Sequence, residues 1–321
     1  MAFDIKKFYE DLDAHYARYD NAATEQFLKD SLAESEEFMI IPSSCSSCED
    51  HCDRTGEEKY EQLSDHEKEW IINCSDTRIA ILNEMACFYR GISQWDKSIA
   101  AFEAVKEELE NRGLQNNSAY AVVILNMAGA YRLMGKFDTA LEAFKKAETI
   151  MLSAKSTSDY EFAGLYNNTG LVYQDTNDLA KAAECFEKAL TYLEKVPDND
   201  AEVATNRANL AVTYYNSGNR EKAIECLDKA IAIFETLDGG LNPHYAGALN
   251  TKAVMLFQSG KVEEAANTFV SAIEKTKLIF GENKEYAIGC RNVSLAFTQL
   301  GDTEKADYYS NIANEIMAKL G

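Results

Sequence analysis

One helical pattern recurs along this chain, and it constrains the fold more than any other feature of the sequence. The segment NMAGAYRLMGKFDTALEAFKKA, which begins at residue 126, returns as NTGLVYQDTNDLAKAAECFEKA and again as NLAVTYYNSGNREKAIECLDKA. In each copy an aromatic residue lies four positions before a glycine or asparagine, and an alanine lies five positions after that glycine or asparagine. Self-similarity of this kind is typical of stacked folds in which each unit buries its apolar face against its neighbours.

Six copies align when Ala140 is taken as the reference position. The residues at that position are small in every copy: Ser98, Ala140, Ala182, Ala223, Ala265 and Ala306. The residues five positions earlier are turn formers: Ser93, Gly135, Asn177, Gly218, Gly260 and Gly301. A small residue lets two helices approach closely, and glycine or asparagine permits the left-handed backbone that ends a helix. We therefore predict six helical hairpins whose reference positions are buried.

The order Tyr131, Gly135, Ala140, Phe144 and Ala147 resembles the motif of the tetratricopeptide repeat. The copies are longer than the family's usual unit of about 34 residues. In this they resemble the long repeats of kinesin light chains and of many bacterial repeat proteins. The resemblance implies an all-α fold, a right-handed superhelical solenoid of antiparallel helix hairpins, and a surface that binds peptides or proteins.

We expect three regions along the chain. Residues 1–40 resemble a degenerate hairpin that would cap the first repeat, and residues 41–76 form a polar, cysteine-rich insertion followed by a helix. Residues 77–321 would hold the six repeats. Ser310 replaces the large apolar residue found at its position in the other copies, as expected of a capping helix with a more polar outer face.

Asparagine recurs at one position in the first helix of four hairpins, where the helices would line the concave surface. The four residues are Asn126, Asn168, Asn209 and Asn292. Asparagine is a poor helix former, so its repetition inside helices needs a reason beyond helix propensity. The resemblance implies that these amides bind the backbone of an extended peptide. The alternative is that they bond neighbouring helices and maintain the geometry between repeats.

Three further residues are expected on the same surface, namely Asn167, Asn250 and Arg291. In this family the clamp for a C-terminal carboxylate needs basic residues beside the asparagines. Only Arg291 lies at such a position, which argues against a free C-terminus as the ligand.

The acidic character of the chain restricts its partners. Its 53 Asp and Glu residues outnumber 32 Lys and Arg residues, which gives a formal net charge of -21. Such a charge repels phosphate backbones, so we expect no nucleic acid and favour a neutral to basic protein segment. No apolar run approaches the ~20 residues of a membrane span, and the first residues lack the apolar stretch of a signal peptide. We expect a cytoplasmic protein without membrane contact.

Four cysteines lie in or near the polar insertion and raise the possibility of a metal. Cys45, Cys48, Cys52 and Cys74 could ligate zinc, with His51 and His66 also available. A C-x-x-C pair is a strong zinc signal only when a second pair follows, and none does. The alternatives are a disulfide or redox pair at Cys45 and Cys48, or a polar loop in which the cysteines are incidental. Apart from this zinc, no cofactor is expected.

No catalytic signature is present, because the chain lacks phosphate-binding, nucleophile-elbow and zinc-protease motifs and its four histidines are scattered. The expected function is therefore a non-enzymatic scaffold that binds protein or peptide in its groove. One alternative is a peptide-sensing regulator in which the ligand changes the pitch of the superhelix. Another is a scaffold that responds to metal or redox state through the cysteine-rich insertion.

Overall fold

The computed structural model describes residues 3–18, 20–38 and 65–320, and none of these residues forms a β-strand. Fourteen α-helices account for most of them. Their bounds are α1 Ile5–Tyr16, α2 Asn21–Phe38, α3 Asp65–Gly91, α4 Trp95–Asn111, α5 Ser118–Leu133, α6 Phe137–Ser153, α7 Asp159–Asp175, α8 Leu179–Leu193, α9 Asp200–Asn216, α10 Arg220–Thr236, α11 Pro243–Gln258, α12 Val262–Phe280, α13 Lys284–Leu300 and α14 Thr303–Leu320.

The chain divides into two compact units, Met1–Thr157 and Ser158–Gly321. In the first unit, the helix pairs α1–α2, α3–α4 and α5–α6 pack as hairpins, and each hairpin packs against the next. The second unit repeats this arrangement with α7–α8, α9–α10, α11–α12 and α13–α14. These contacts confirm the prediction of an all-α fold of stacked helix hairpins. Helix α3 runs without a break past residue 76, where we placed a boundary, and the division into three regions stays a prediction.

In the six repeat hairpins, from α3–α4 to α13–α14, the turn between the two helices has left-handed backbone geometry. The φ angles are 60° at Ser93, 73° at Gly135, 61° at Asn177, 86° at Gly218, 80° at Gly260 and 78° at Gly301. In each of these six hairpins, the residue after the turn residue donates its N–H to the carbonyl of the residue four positions before the turn residue. Asp178, for example, donates to Tyr173 over 2.8 Å. This bond closes the helix end and satisfies a carbonyl that would otherwise lack a donor. The predicted role of the turn residues is confirmed.

The reference positions are buried in all six hairpins, with exposures between 0% at Ala182 and 6% at Ala306. Ser98 fits this position because its hydroxyl donates to the carbonyl of Ala86 in the partner helix, over 2.8 Å. The prediction that these reference positions are buried is confirmed. Phe102, Phe144 and Phe186 follow four positions later and are among the most deeply buried side chains.

A lysine lies over an aromatic ring at the turn of four hairpins. The pairs are Lys97 with Tyr89, Lys181 with Tyr173, Lys222 with Tyr214 and Lys305 with Phe297, at 4.8 to 5.2 Å from the ring centroid. In each pair the aromatic residue lies in the last turn of the first helix and the lysine lies in the first turn of the second. This cation–π contact joins the two helices beside the left-handed turn.

One carboxylate of helix α2 makes several contacts with the α3–α4 hairpin, in addition to the ion pair between Glu36 and Arg78. Glu25 accepts hydrogen bonds from Lys97 at 2.9 Å and from the Tyr89 hydroxyl at 3.2 Å. It also pairs with Lys29 at 2.8 Å within its own helix. The hydrogen bonds from Lys29 and Lys97 lower the pKa of Glu25 to about 2. The carboxylate is therefore charged at any pH at which the chain is normally studied.

Candidate functional site

The asparagines of the second unit form two groups on the first helices of its hairpins. We call the surface that they define the amide face, made of Asn167, Asn168, Asn206, Asn209, Asn250 and Asn292. Four different helices contribute to it: α7, α9, α11 and α13. Five of the six side chains are half-buried, and Asn206 is only 2% exposed.

The first group joins α7 to α9. Asn167 Oδ1 accepts a hydrogen bond from Nδ2 of Asn209 at 3.1 Å and a second from Nδ2 of Asn206 at 3.3 Å. One amide oxygen therefore holds two amides of the neighbouring hairpin. The Oδ1 atom of Asn206 is buried and has no hydrogen-bond partner in the described part of the chain.

The second group joins α11 to α13 and is looser. Nδ2 of Asn292 lies 3.5 Å from Oδ1 of Asn250, at the outer limit of a hydrogen bond. Arg291, the neighbour of Asn292, is exposed. The geometry is that of the first group with one amide fewer.

Asn168 behaves differently from the other predicted amides. Its Nδ2 donates to the carbonyl of Gly164 in its own helix, over 2.8 Å. Thr251, at the equivalent position of α11, bonds the carbonyl of Gly247 in the same way, over 2.9 Å. Neither side chain joins two helices through these bonds, so neither is needed for hairpin-to-hairpin contact.

Asn126 lies in the other unit, on α5, and is half-buried. Its backbone carbonyl accepts a hydrogen bond from Nη1 of Arg90 in α3, at 3.4 Å. Arg90 also stands 3.4 Å from where a Cβ of Gly129 would be. A cation therefore lies over this part of α5.

Several residues beside the amides were missed by the sequence reasoning. Asn206 lies one turn before Asn209 on the same face of α9, and this spacing could have identified it. Gln174 bonds the Thr213 hydroxyl at 2.9 Å and the Asn209 carbonyl at 3.2 Å. The Tyr160 hydroxyl donates to Glu202 over 3.1 Å, and burial followed by the charge of Glu202 raises the pKa of this tyrosine. Polar side-chain bonds thus run along α7 and α9 from end to end.

The proposed zinc ligands lie mostly outside the described residues. Cys45, Cys48, Cys52 and His51 fall in the segment 39–64, and only the backbone of His66 is described. Cys74 is half-buried in α3, and burial raises the pKa of its thiol. Among the residues that the structure describes, no group of three or more His, Cys, Asp or Glu could hold a metal. The zinc site stays a prediction.

None of the described helices is both long enough and apolar enough to cross a membrane.

Models of the tetratricopeptide repeat match residues 161–236 and 208–277. These ranges cover α8 to α11, most of α7 and most of α12. A search of curated proteins gives no match.

Solved structures share the fold at low sequence identity. BtubC (BKLC) from P. vanneervenii superposes with a TM-score of 0.62 at 21% identity, over 70% of this chain and 92% of that one. A putative kinesin light chain with nearly identical TPR-like repeats from Podosopora anserina gives 0.54 at 17% identity, over 64% of this chain and 98% of that one. The apo form of RapI gives 0.53 at 14% identity, over 75% and 98%. At these identities the likeness establishes the fold alone.

Proposed function

We propose that this chain, which contains tetratricopeptide repeats, is a non-enzymatic scaffold whose amide face binds an extended protein segment of neutral to basic character. Tetratricopeptide-repeat proteins bind protein or peptide partners and are generally not enzymes. The residues expected to contact the segment are Asn167, Asn168, Asn209, Asn250, Arg291 and Asn292 in the second unit, with Asn126 as a candidate in the first.

One observation carries the proposal: three of the four recurring amides use their NH2 groups inside the protein and leave their oxygens unused. The Nδ2 atoms of Asn168, Asn209 and Asn292 bond Gly164, Asn167 and Asn250. Within the described residues, no donor is bonded to their Oδ1 atoms. The backbone N–H groups of an extended peptide are donors spaced along a line, and such oxygens can accept them.

The charge of the chain supports a neutral to basic ligand. The formal net charge is -21, and an acidic segment would be repelled as it approached. Arg291, the residue before Asn292, is an exposed cation at the α13 end of the amide face. A basic segment would meet few like charges along α7 and α9.

One experiment distinguishes asparagines that contact the ligand from asparagines that only stabilise the fold. A random-peptide display selected on the full chain supplies the probe, and the best peptide is titrated against purified variants. Asn168→Ala should weaken binding by about 1 kcal/mol or more, because a peptide donor loses its acceptor. The melting temperature should hold or rise slightly, since alanine is the better helix former.

Asn209→Ala is the comparison, because its amide joins two helices. It should weaken binding and also lower stability by about 1 kcal/mol, since the bond to Asn167 is lost. Asn267→Ala, exposed on α12, is the control and should change neither quantity. A lower melting temperature for Asn168→Ala with unchanged affinity would mean that the amide face only supports the fold.

A further inference from the structure

Gly164 has no evident role in the packing of the protein itself. It lies inside α7 with ordinary helical backbone, and a Cβ built there would meet no atom within 4 Å other than its chain neighbours and the backbone of its own helix. Gly170 in the same helix is the contrast, because its Cβ would come within 2.8 Å of the Phe186 ring. Glycine inside a helix is less stable than alanine. The absence of a side chain at Gly164 therefore leaves room on the surface that the protein does not fill.

Two bridges between α7 and α9 flank this bare stretch of backbone. One turn before Gly164, the Tyr160 hydroxyl donates to Glu202 over 3.1 Å. One turn after it, Asn167 accepts from Nδ2 of Asn206 over 3.3 Å. We call the space between them the Gly164 notch, bounded by Tyr160, Gly164, Glu202 and Asn206.

Asn206, at the edge of the notch, carries an acceptor that has no donor among the residues that the structure describes. Asn206 is 2% exposed, and its Nδ2 is held by Asn167 while its Oδ1 has no partner. Buried side-chain oxygens in folded proteins nearly always accept a hydrogen bond. A donor that reached this oxygen, after the side chains that cover it had moved aside, would supply the missing bond.

The other polar groups of the notch are also acceptors. Glu202 is half-buried, and the Tyr160 hydroxyl is the one donor bonded to its side chain among the described residues. Two acidic groups on the adjacent helix α10 are already paired, Glu225 with Lys229 and Asp228 with Lys252. A carboxylate, an amide oxygen and the ring of half-exposed Tyr160 together suit a cation that carries several N–H donors.

We infer that the Gly164 notch receives a cationic side chain, that of arginine or lysine, from the segment that binds the amide face. Because Gly164 has no side chain, the aliphatic part of the arginine or lysine can lie against its backbone. The carboxylate of Glu202 then neutralises the charged group at the end of that side chain. A guanidinium has five N–H donors and can bond the carboxylate and the amide oxygen together. The inference rests on the proposed function for the origin of the side chain, but the notch can be tested without a peptide.

The experiment titrates the full chain, labelled with ¹⁵N, with N-acetyl-arginine methylamide and follows the amide resonances. The matched neutral probe is N-acetyl-citrulline methylamide, which has nearly the same shape and no charge. Saturable shifts at Gly164 and at the side-chain amide of Asn206 are expected with the arginine probe only. N-acetyl-lysine methylamide, with its side chain free, shows whether an ammonium serves as well.

Three variants assign the binding to the notch. Glu202→Gln should weaken binding of the arginine probe about tenfold, because the charge pair is lost while the shape is kept. Gly164→Ala should also weaken it, since a methyl group narrows the notch, while its melting temperature stays level or rises. Glu225→Gln removes an exposed carboxylate elsewhere and should leave binding unchanged.

Equal binding of the two probes, equal binding by Glu202→Gln, or no saturable shift would each overturn the inference. Because the probes have no extended backbone, their failure leaves the proposed function intact if Asn168→Ala still weakens a selected peptide. A peptide that binds elsewhere on the chain, together with saturable shifts at Gly164, would overturn the proposed function and keep the cation site.

Discussion

At the scale of single residues, Ala182 shows how closely the two helices of a hairpin meet. Its side chain is fully buried in a cluster with Phe186 and Leu210. Ala182→Leu should lower the free energy of unfolding by about 1–3 kcal/mol, because the larger side chain forces the helices apart. Urea denaturation measures the loss. Ala180→Leu, exposed on the same helix, should have little effect, and equal losses from both changes would contradict close packing at Ala182.

The same scale shows which parts of the structure could be predicted from the sequence. The turn at Gly135 and the burial of Ala140 follow from steric needs within one hairpin, so the repeat predicted them correctly. The hydrogen bonds of the amides depend on which side chain of the neighbouring hairpin lies opposite each of them. This is set by the relative axial position of the two helices. Asn168 and Asn209 look equivalent in the repeat, yet the first bonds its own helix and the second its neighbour. The spacing of Asn206 from Asn209 could have placed it on the same face, but its bond to Asn167 could not be read from the repeat.

At the scale of elements, the attachment of α2 depends on the charge of Glu25. Its pKa of about 2 in the folded state is below the ordinary value of 4.5. A lowered pKa means that the stabilisation is complete above the unfolded value and is lost as the pH falls toward the folded one. Glu25→Gln should therefore lower the melting temperature most near neutral pH, and the difference from the natural chain should shrink between pH 4.5 and about 2. Circular dichroism melts across this range measure it, and a difference independent of pH would contradict the charged contact.

At the scale of the whole molecule, the excess of acidic residues acts against folding. A formal charge of -21 is spread over 321 residues, and like charges repel more strongly in a compact chain than in an extended one. Sodium chloride should therefore raise the melting temperature at neutral pH. Most of the rise should come below about 0.15 M, where the screening length has fallen to about 8 Å. A melting temperature that falls over this range would show that specific ion pairs outweigh the general repulsion.

The packing of each hairpin against the next also affects how quickly the chain folds. In the second unit, the main helix contacts join elements that are adjacent or next but one in sequence. Contacts of such short separation need no long loop to be closed before they form, and proteins rich in them fold fast. In the folding transition state of this unit, only two neighbouring hairpins need to be structured. Any neighbouring pair can form this nucleus. Folding can therefore start at several places, and its rate should respond weakly to a change confined to one hairpin.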